Sequence, residues 1–96
     1  MEEDVYFANL ISSQGRIYAY IRSIHHFPHD VDDIVQETNI TLMNKMSEFD
    51  HSKDFIPWAY AVARFTWMAY RKKRAMKMKR ESHDPYIHKV QDSNIL

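Results

Sequence analysis

Residues 54–80, DFIPWAYAVARFTWMAYRKKRAMKMKR, hold no glycine and a single proline, Pro57, near their start. Read at about 100° per residue, the run predicts one helix with two unlike faces. Phe55, Trp58, Ala59, Val62, Phe65, Thr66 and Ala69 recur at i, i+3, i+4, i+7 spacing and are expected to face a core. On the other side, Tyr60, Arg64, Trp67, Arg71 and Arg74 follow one another at alternating steps of four and three. Flat rings beside guanidinium groups suit a nucleobase lying next to a phosphate. The same pattern also fits a helix buried on both sides with a solvated basic end.

Working outward, Asp54 is expected to cap this helix, and Pro57 falls in a first turn that needs no N–H at that position. Ahead of it lies the short polar loop Phe49-Asp50-His51-Ser52-Lys53-Asp54. A third helix is expected over about 31–47, with Asp30 as N-cap and Asp32 and Asp33 in the first turn, where the helix dipole favours acids. Its inward stripe is Val31, Ile34, Val35, Thr38, Leu42, the Lys45 stem, Met46 and Phe49. Its outer face carries Asp33, Gln36, Glu37, Ile40 and Asn44, with Met43 alongside. An apolar residue ringed by acids is what a protein-docking face looks like, although a single exposed isoleucine is also ordinary.

Two shorter helices precede these, over 3–12 (Val5, Tyr6, Leu10 and Ile11 inward) and 14–26 (Ile17, Tyr20, Ile21 and Ile24 inward). The break at Ser12-Ser13-Gln14-Gly15 separates them, with Ser13 as the expected cap of the second. His25, His26 and His29 stand close to Asp30, Asp32 and Asp33, but Pro28 interrupts any regular i, i+4 ligand pair, so no metal site is expected. Between Arg71 and Arg80, seven of ten positions are basic and none is acidic. The long helix is expected to fray near Met76 and Met78, and residues 81–96, with Pro85 and weak periodicity, read as a linker or tail.

Composition agrees with an all-α domain of about four helices over residues 1–80. The 96 residues hold one glycine, three prolines and no cysteine, which excludes disulfides, thiolate metal sites and a cysteine nucleophile. No apolar run approaches the roughly 20 residues of a membrane span, and the acidic start MEEDVYF lacks a signal-peptide pattern, so a cytoplasmic location is expected. The formal charge of zero is a cancellation: residues 1–60 carry ten acids and four bases, net −6, whereas residues 61–96 carry nine bases and three acids, net +6. That asymmetry implies two partners of opposite charge, a polyanion at the basic end and something basic at the acidic end.

VDDIVQETNITLMNKMSEFD followed by FIPWAYAVARFTWMAYRKKRA resembles conserved region 2 of the sigma-70 family of initiation factors, in its small extracytoplasmic-function (ECF) branch. The resemblance rests on Asp32-Asp33-Ile34-Val35-Gln36-Glu37, then Phe55, Trp58, Val62-Ala63-Arg64 and the basic run from Arg71 to Arg74, and covers about residues 5–80. Many members have Asn where this chain has Phe65, and an acid a few residues on, where it has Ala69 and Tyr70. Family members also continue into a second helical domain that reads the minus-thirty-five element, so the chain looks like a region-2 fragment.

The resemblance implies a non-enzymatic initiation factor domain needing no cofactor. Asp32, Asp33, Gln36, Glu37, Ile40 and Met43 would dock on the clamp helices of the largest subunit of core RNA polymerase. His51, Ser52 and Lys53, together with Tyr60, Arg64, Trp67, Arg71, Lys72 and Arg74, would bind the non-template strand of the minus-ten promoter element. An anti-sigma factor is a further partner that such a resemblance admits. The rival readings are a regulatory, dimeric helical interaction module that does not bind DNA, and a histidine metalloenzyme.

Overall fold

A computed structural model describes residues 1–81 of the chain, and the expected tail falls almost entirely outside them. Four helices follow one another: α1 (Glu2–Ser12), α2 (Gln14–Ile24), α3 (Pro28–Asn44) and α4 (Phe55–Glu81), with a single 3-10 turn (Met46–Glu48) between α3 and α4. The fold is all-α, as expected. Among the described residues no helix is long and apolar enough to cross a membrane.

The α1–α2 break falls at Ser13 rather than at Gly15. Ser13 is buried with φ −98° and ψ 3°, and its hydroxyl makes no cap bond; the junction is held by backbone, Ser13 N–H to Asn9 O (3.0 Å) and Ile17 N–H to Ser13 O (2.9 Å). Gly15 lies inside α2, has no positive φ and meets nothing within 4 Å of where a Cβ would stand.

α3 starts three residues before the expected position. Phe27 is its N-cap in extended conformation and Pro28 takes the first turn, where a missing N–H is harmless. Asp30 is therefore not the cap. It sits within the helix, buried, with its carboxylate turned toward Arg74 and His25. The helix also ends early, at Asn44, and Met46–Glu48 tightens into the 3-10 turn. α4 runs without interruption to Glu81, so the expected fraying near Met76 does not occur.

α3 and α4 pack most extensively against each other, with α2 on both and α1 laid across all three. The contact side of α4 is built from Phe55, Ala59, Val62, Ala63 and Thr66. Small residues there let the α3 axis come close, because interaxial distance follows the side chains at the contact. The centre of the α4 core stripe thereby shifts toward Ala63. Phe65, expected inside, is left 71% exposed. Val5 and Ile11 are likewise exposed rather than buried, since α1 contributes mainly Tyr6 and Leu10 to the core.

Tyr6 ties the bundle together. Its hydroxyl donates to the Leu42 carbonyl (2.6 Å) and accepts from Trp58 Nε1 (3.1 Å), while its ring meets Phe55 edge-on at 5.2 Å and Phe49 at 5.5 Å. α1, α3, α4 and the inter-helix loop thus converge on one side chain. Gln14 and Asn39 add a reciprocal amide pair between α2 and α3 (2.9 and 2.7 Å).

Candidate nucleic-acid interface

The loop between the 3-10 turn and α4 is organised by Asp50. Its Oδ1 accepts from both the backbone N–H (3.0 Å) and the hydroxyl (2.7 Å) of Ser52, and its carbonyl accepts from Lys53 N–H (3.0 Å). Asp and Ser favour this kind of local turn because their short side chains bond backbone two residues on. The Ser52 hydroxyl bond, followed by the Ser52 N–H bond, holds the Asp50 carboxyl below its ordinary value. Beside the loop opens a cleft of about 600 Å³ lined by Glu48, Phe49, Asp50, Ser52, Lys53, Asp54, Pro57 and Trp58. Ser52 and Lys53 thus face the cleft. His51 turns away from it, its ring 5.1 Å from Phe49 and 6.1 Å from Tyr6, with Nε2 4.0 Å from Glu2. Trp58, placed by its periodicity on the core side, is half-buried and forms part of the cleft wall.

Along α4 the ring-and-arginine row divides. Tyr60 is half-buried and stacked on Tyr20 of α2, centroids 4.6 Å apart and planes 10° from parallel. Trp67 is half-buried, its Nε1 donating to His25 Nδ1 (3.2 Å), and the Arg71 guanidinium lies 4.7 Å over its ring. Arg74 Nη1 donates to Asp30 Oδ2 at 2.7 Å. Arg64, Lys72 and Lys73 are exposed.

A polar network therefore joins the α2–α3 corner to the distal half of α4. The Trp67 bond fixes His25 Nδ1 as acceptor, so its Nε2 carries the proton facing Asp30 Oδ2 (3.2 Å). Burial pushes the Asp30 carboxyl up, but hydrogen bonds from His25 and Tyr70, with the charges of Arg74 and His29, outweigh it and leave the group below its ordinary value. Tyr70 is pushed up by burial and by its bond to Asp30. This network escaped the sequence reading because its members are far apart in the chain. The available signal was an acid at the third position of a proline-started helix.

On α3, Asp32, Asp33, Gln36 and Asn44 are exposed, Glu37 is half-buried, and Ile40 and Met43 are 48% and 44% exposed. Of the histidine cluster, His25 belongs to the network, His29 lies 3.6 Å from Asp30, and His26 is exposed. Among the described residues no group of three or more His, Cys, Asp or Glu is arranged to hold a metal ion.

The family described as Sigma-70 region 2 matches residues 10–76, which take in α2, α3, the cleft and most of α4. The chain belongs to the sigma-70 region 2 family. Two curated sigma factors are similar to it. The ECF RNA polymerase sigma factor SigF of Caulobacter vibrioides is 36% identical over 63 residues, covering 65% of this chain and 35% of that protein. The RNA polymerase sigma factor NccH of Alcaligenes xylosoxydans xylosoxydans is 37% identical over 57 residues, covering 58% of this chain and 31% of that protein. This sigma region 2 domain spans about a third of the length of the curated relatives it matches. No solved structure matches it.

Proposed function

We propose that this domain docks on core RNA polymerase through α3 and holds the opened non-template strand of the minus-ten promoter element on α4 and the 50–54 loop. The observation that carries the reading is the opposition of two helix faces. α3 presents Asp32, Asp33, Gln36 and Glu37 around Ile40 and Met43, whereas α4 has no acid between Phe55 and Arg80 and exposes Arg64, Arg71, Lys72 and Lys73. Acids around an apolar centre steer and then seat a basic protein partner. Exposed cations along a helix neutralise phosphates.

The cleft suits a base better than a phosphate. Glu48, Asp50 and Asp54 supply acceptors, against a single Lys53, and the Trp58 and Phe49 rings supply apolar walls. A flipped base offering amino or imino N–H groups would be received there, while its phosphates lie toward the cations of α4. No bond is made or broken. Strand opening is driven by differential binding, because an unpaired strand stacks and neutralises charge on this surface and offsets the few kcal/mol lost on unstacking. The partner enzyme would also place this domain in the cytoplasm.

Co-purification of the chain with core RNA polymerase, followed by promoter opening, tests the reading. Glu37→Lys or Ile40→Asp is expected to abolish co-purification. Arg71→Ala should retain co-purification and lower opening. Equal loss of both functions in every variant would sink the two-face assignment.

A further inference from the structure

Two exposed seams run along the outer faces of α3 and α4. On α3, Asp33, Gln36, Ile40 and Met43 follow one another at steps of three, four and three. On α4, Phe65, Met68, Lys72 and Ala75 repeat the same steps, and every member of both seams is exposed. Alternating steps of three and four keep a row on one side of a helix, which is how two helices meet along a line. Ile40 and Met43 are 48% and 44% exposed on one seam, and Phe65 and Met68 are 71% and 49% exposed on the other.

Within one chain the two helices pack through their other sides, with Val31, Ile34 and Leu42 of α3 in the same core as Ala59, Val62 and Ala63 of α4. The outer seams therefore cannot meet in a single molecule. Between two molecules they fit. Laid antiparallel, Met43 faces Phe65, Ile40 faces Met68, and Lys72 falls beside Gln36 and the Asp32-Asp33 pair. A parallel alignment of the same apolar side chains would instead carry Lys72 past Asn44, where α3 ends, and away from those acids.

Charge selects the same occupant. Residues 1–60 carry net −6 and residues 61–96 net +6, so the whole chain is neutral. A neutral molecule has no net repulsion to hold its copies apart, and separated poles steer the acidic face of one toward the basic face of another. One further copy thus supplies a basic partner for α3 and an acidic partner for α4.

We infer that this chain associates with itself, α4 of one copy docking antiparallel on α3 of the next. The contact is heterologous, and its short apolar strip makes it a transient one. It goes beyond the proposed function and opposes it, because it covers the face assigned to polymerase on one copy and the face assigned to the strand on the other.

Sedimentation velocity of the full chain over a range of concentrations tests the contact. The average sedimentation coefficient should rise with concentration at low salt, and less at high salt. Asp33→Lys and Lys72→Asp should each weaken self-association about ten-fold, because each sets like charges opposite one another. Mixed in equal amounts, the two variants should associate as the unaltered chain does, since the two reversals then face each other and the remaining pair of faces is unaltered. Ile40→Ala should also weaken association, without rescue by mixing, and circular dichroism melts check that each variant is folded. A chain that stays monomeric throughout, an association that ignores either charge reversal, or a mixture that fails to recover overturns the inference. Adding a single-stranded oligodeoxynucleotide separates it from the proposed function. A strand that disperses the copies supports both, whereas copies that stay associated leave the contact standing and count against strand holding on α4.

Discussion

At the scale of single residues, Tyr6 and Asp30 show how one polar atom decides local stability. Replacing Tyr6 by Phe keeps the ring packing but leaves the Leu42 carbonyl and the Trp58 N–H without their partner. A buried group left unpaired costs about 1–2 kcal/mol, so Tyr6→Phe should lower the melting temperature by about 5–10 °C, read by circular dichroism. Asp30 gives a pH signature. Its folded carboxyl titrates below the ordinary 3.8, so its contribution is complete above about pH 4 and is lost as pH falls through the lower folded value. Asp30→Asn should melt below the unaltered chain at neutral pH, and the difference should shrink as the pH is taken below 4. A constant difference across that range would mean that the carboxylate charge contributes nothing. Neither role was legible beforehand: Asp30 looks like a cap in sequence because the eye starts the helix after the proline, whereas the chain starts it at the proline.

At the scale of elements, α2 and α4 carry the sharpest expectations. Gly15 lies in a helix with open space at its Cβ position and no positive φ, so its freedom serves no fold requirement. Gly15→Ala should raise stability by about 0.5 kcal/mol, mainly by restricting the unfolded chain, with a corresponding rise in melting temperature. The distal half of α4 projects beyond the bundle and is tied back by the Trp67–His25 and Arg74–Asp30 bonds. Hydrogen exchange in residues 67–75 should therefore accelerate in Arg74→Ala, with little change in α1. Helix existence and order followed from apolar spacing and helix-breaking residues. The bounds at Pro28 and Asn44, and the burial of Ala63 in place of Phe65, did not, because they depend on how closely α3 approaches α4.

For the whole molecule, the separation of charge is the property with the widest reach. Among the exposed cations of α4, Arg64, Arg71, Lys72 and Lys73 are the first four whose guanidinium or ammonium is not bonded to an acid, whereas Arg74 is bonded to Asp30. If the first four meet phosphates, single-strand affinity should fall with log salt at a slope of about −3, and Arg71→Ala should reduce that slope by about 0.7. Arg74→Ala should change stability more than slope. A slope near zero for the unaltered chain would remove the phosphate contacts altogether.

The amino-acid order by itself determined that the chain is helical and that its third helix is acidic outside and its fourth basic. Those properties are written in periodicity and in residue type, which need no partner to be read. Only the packed bundle decided what meets each ring: Tyr20 stacks on Tyr60, Arg71 lies over Trp67, and Phe65 is left exposed. A helical wheel gives the direction of each side chain from its own axis. What meets that side chain depends on where the other helices lie, and that is set by the volumes of residues distant in the chain.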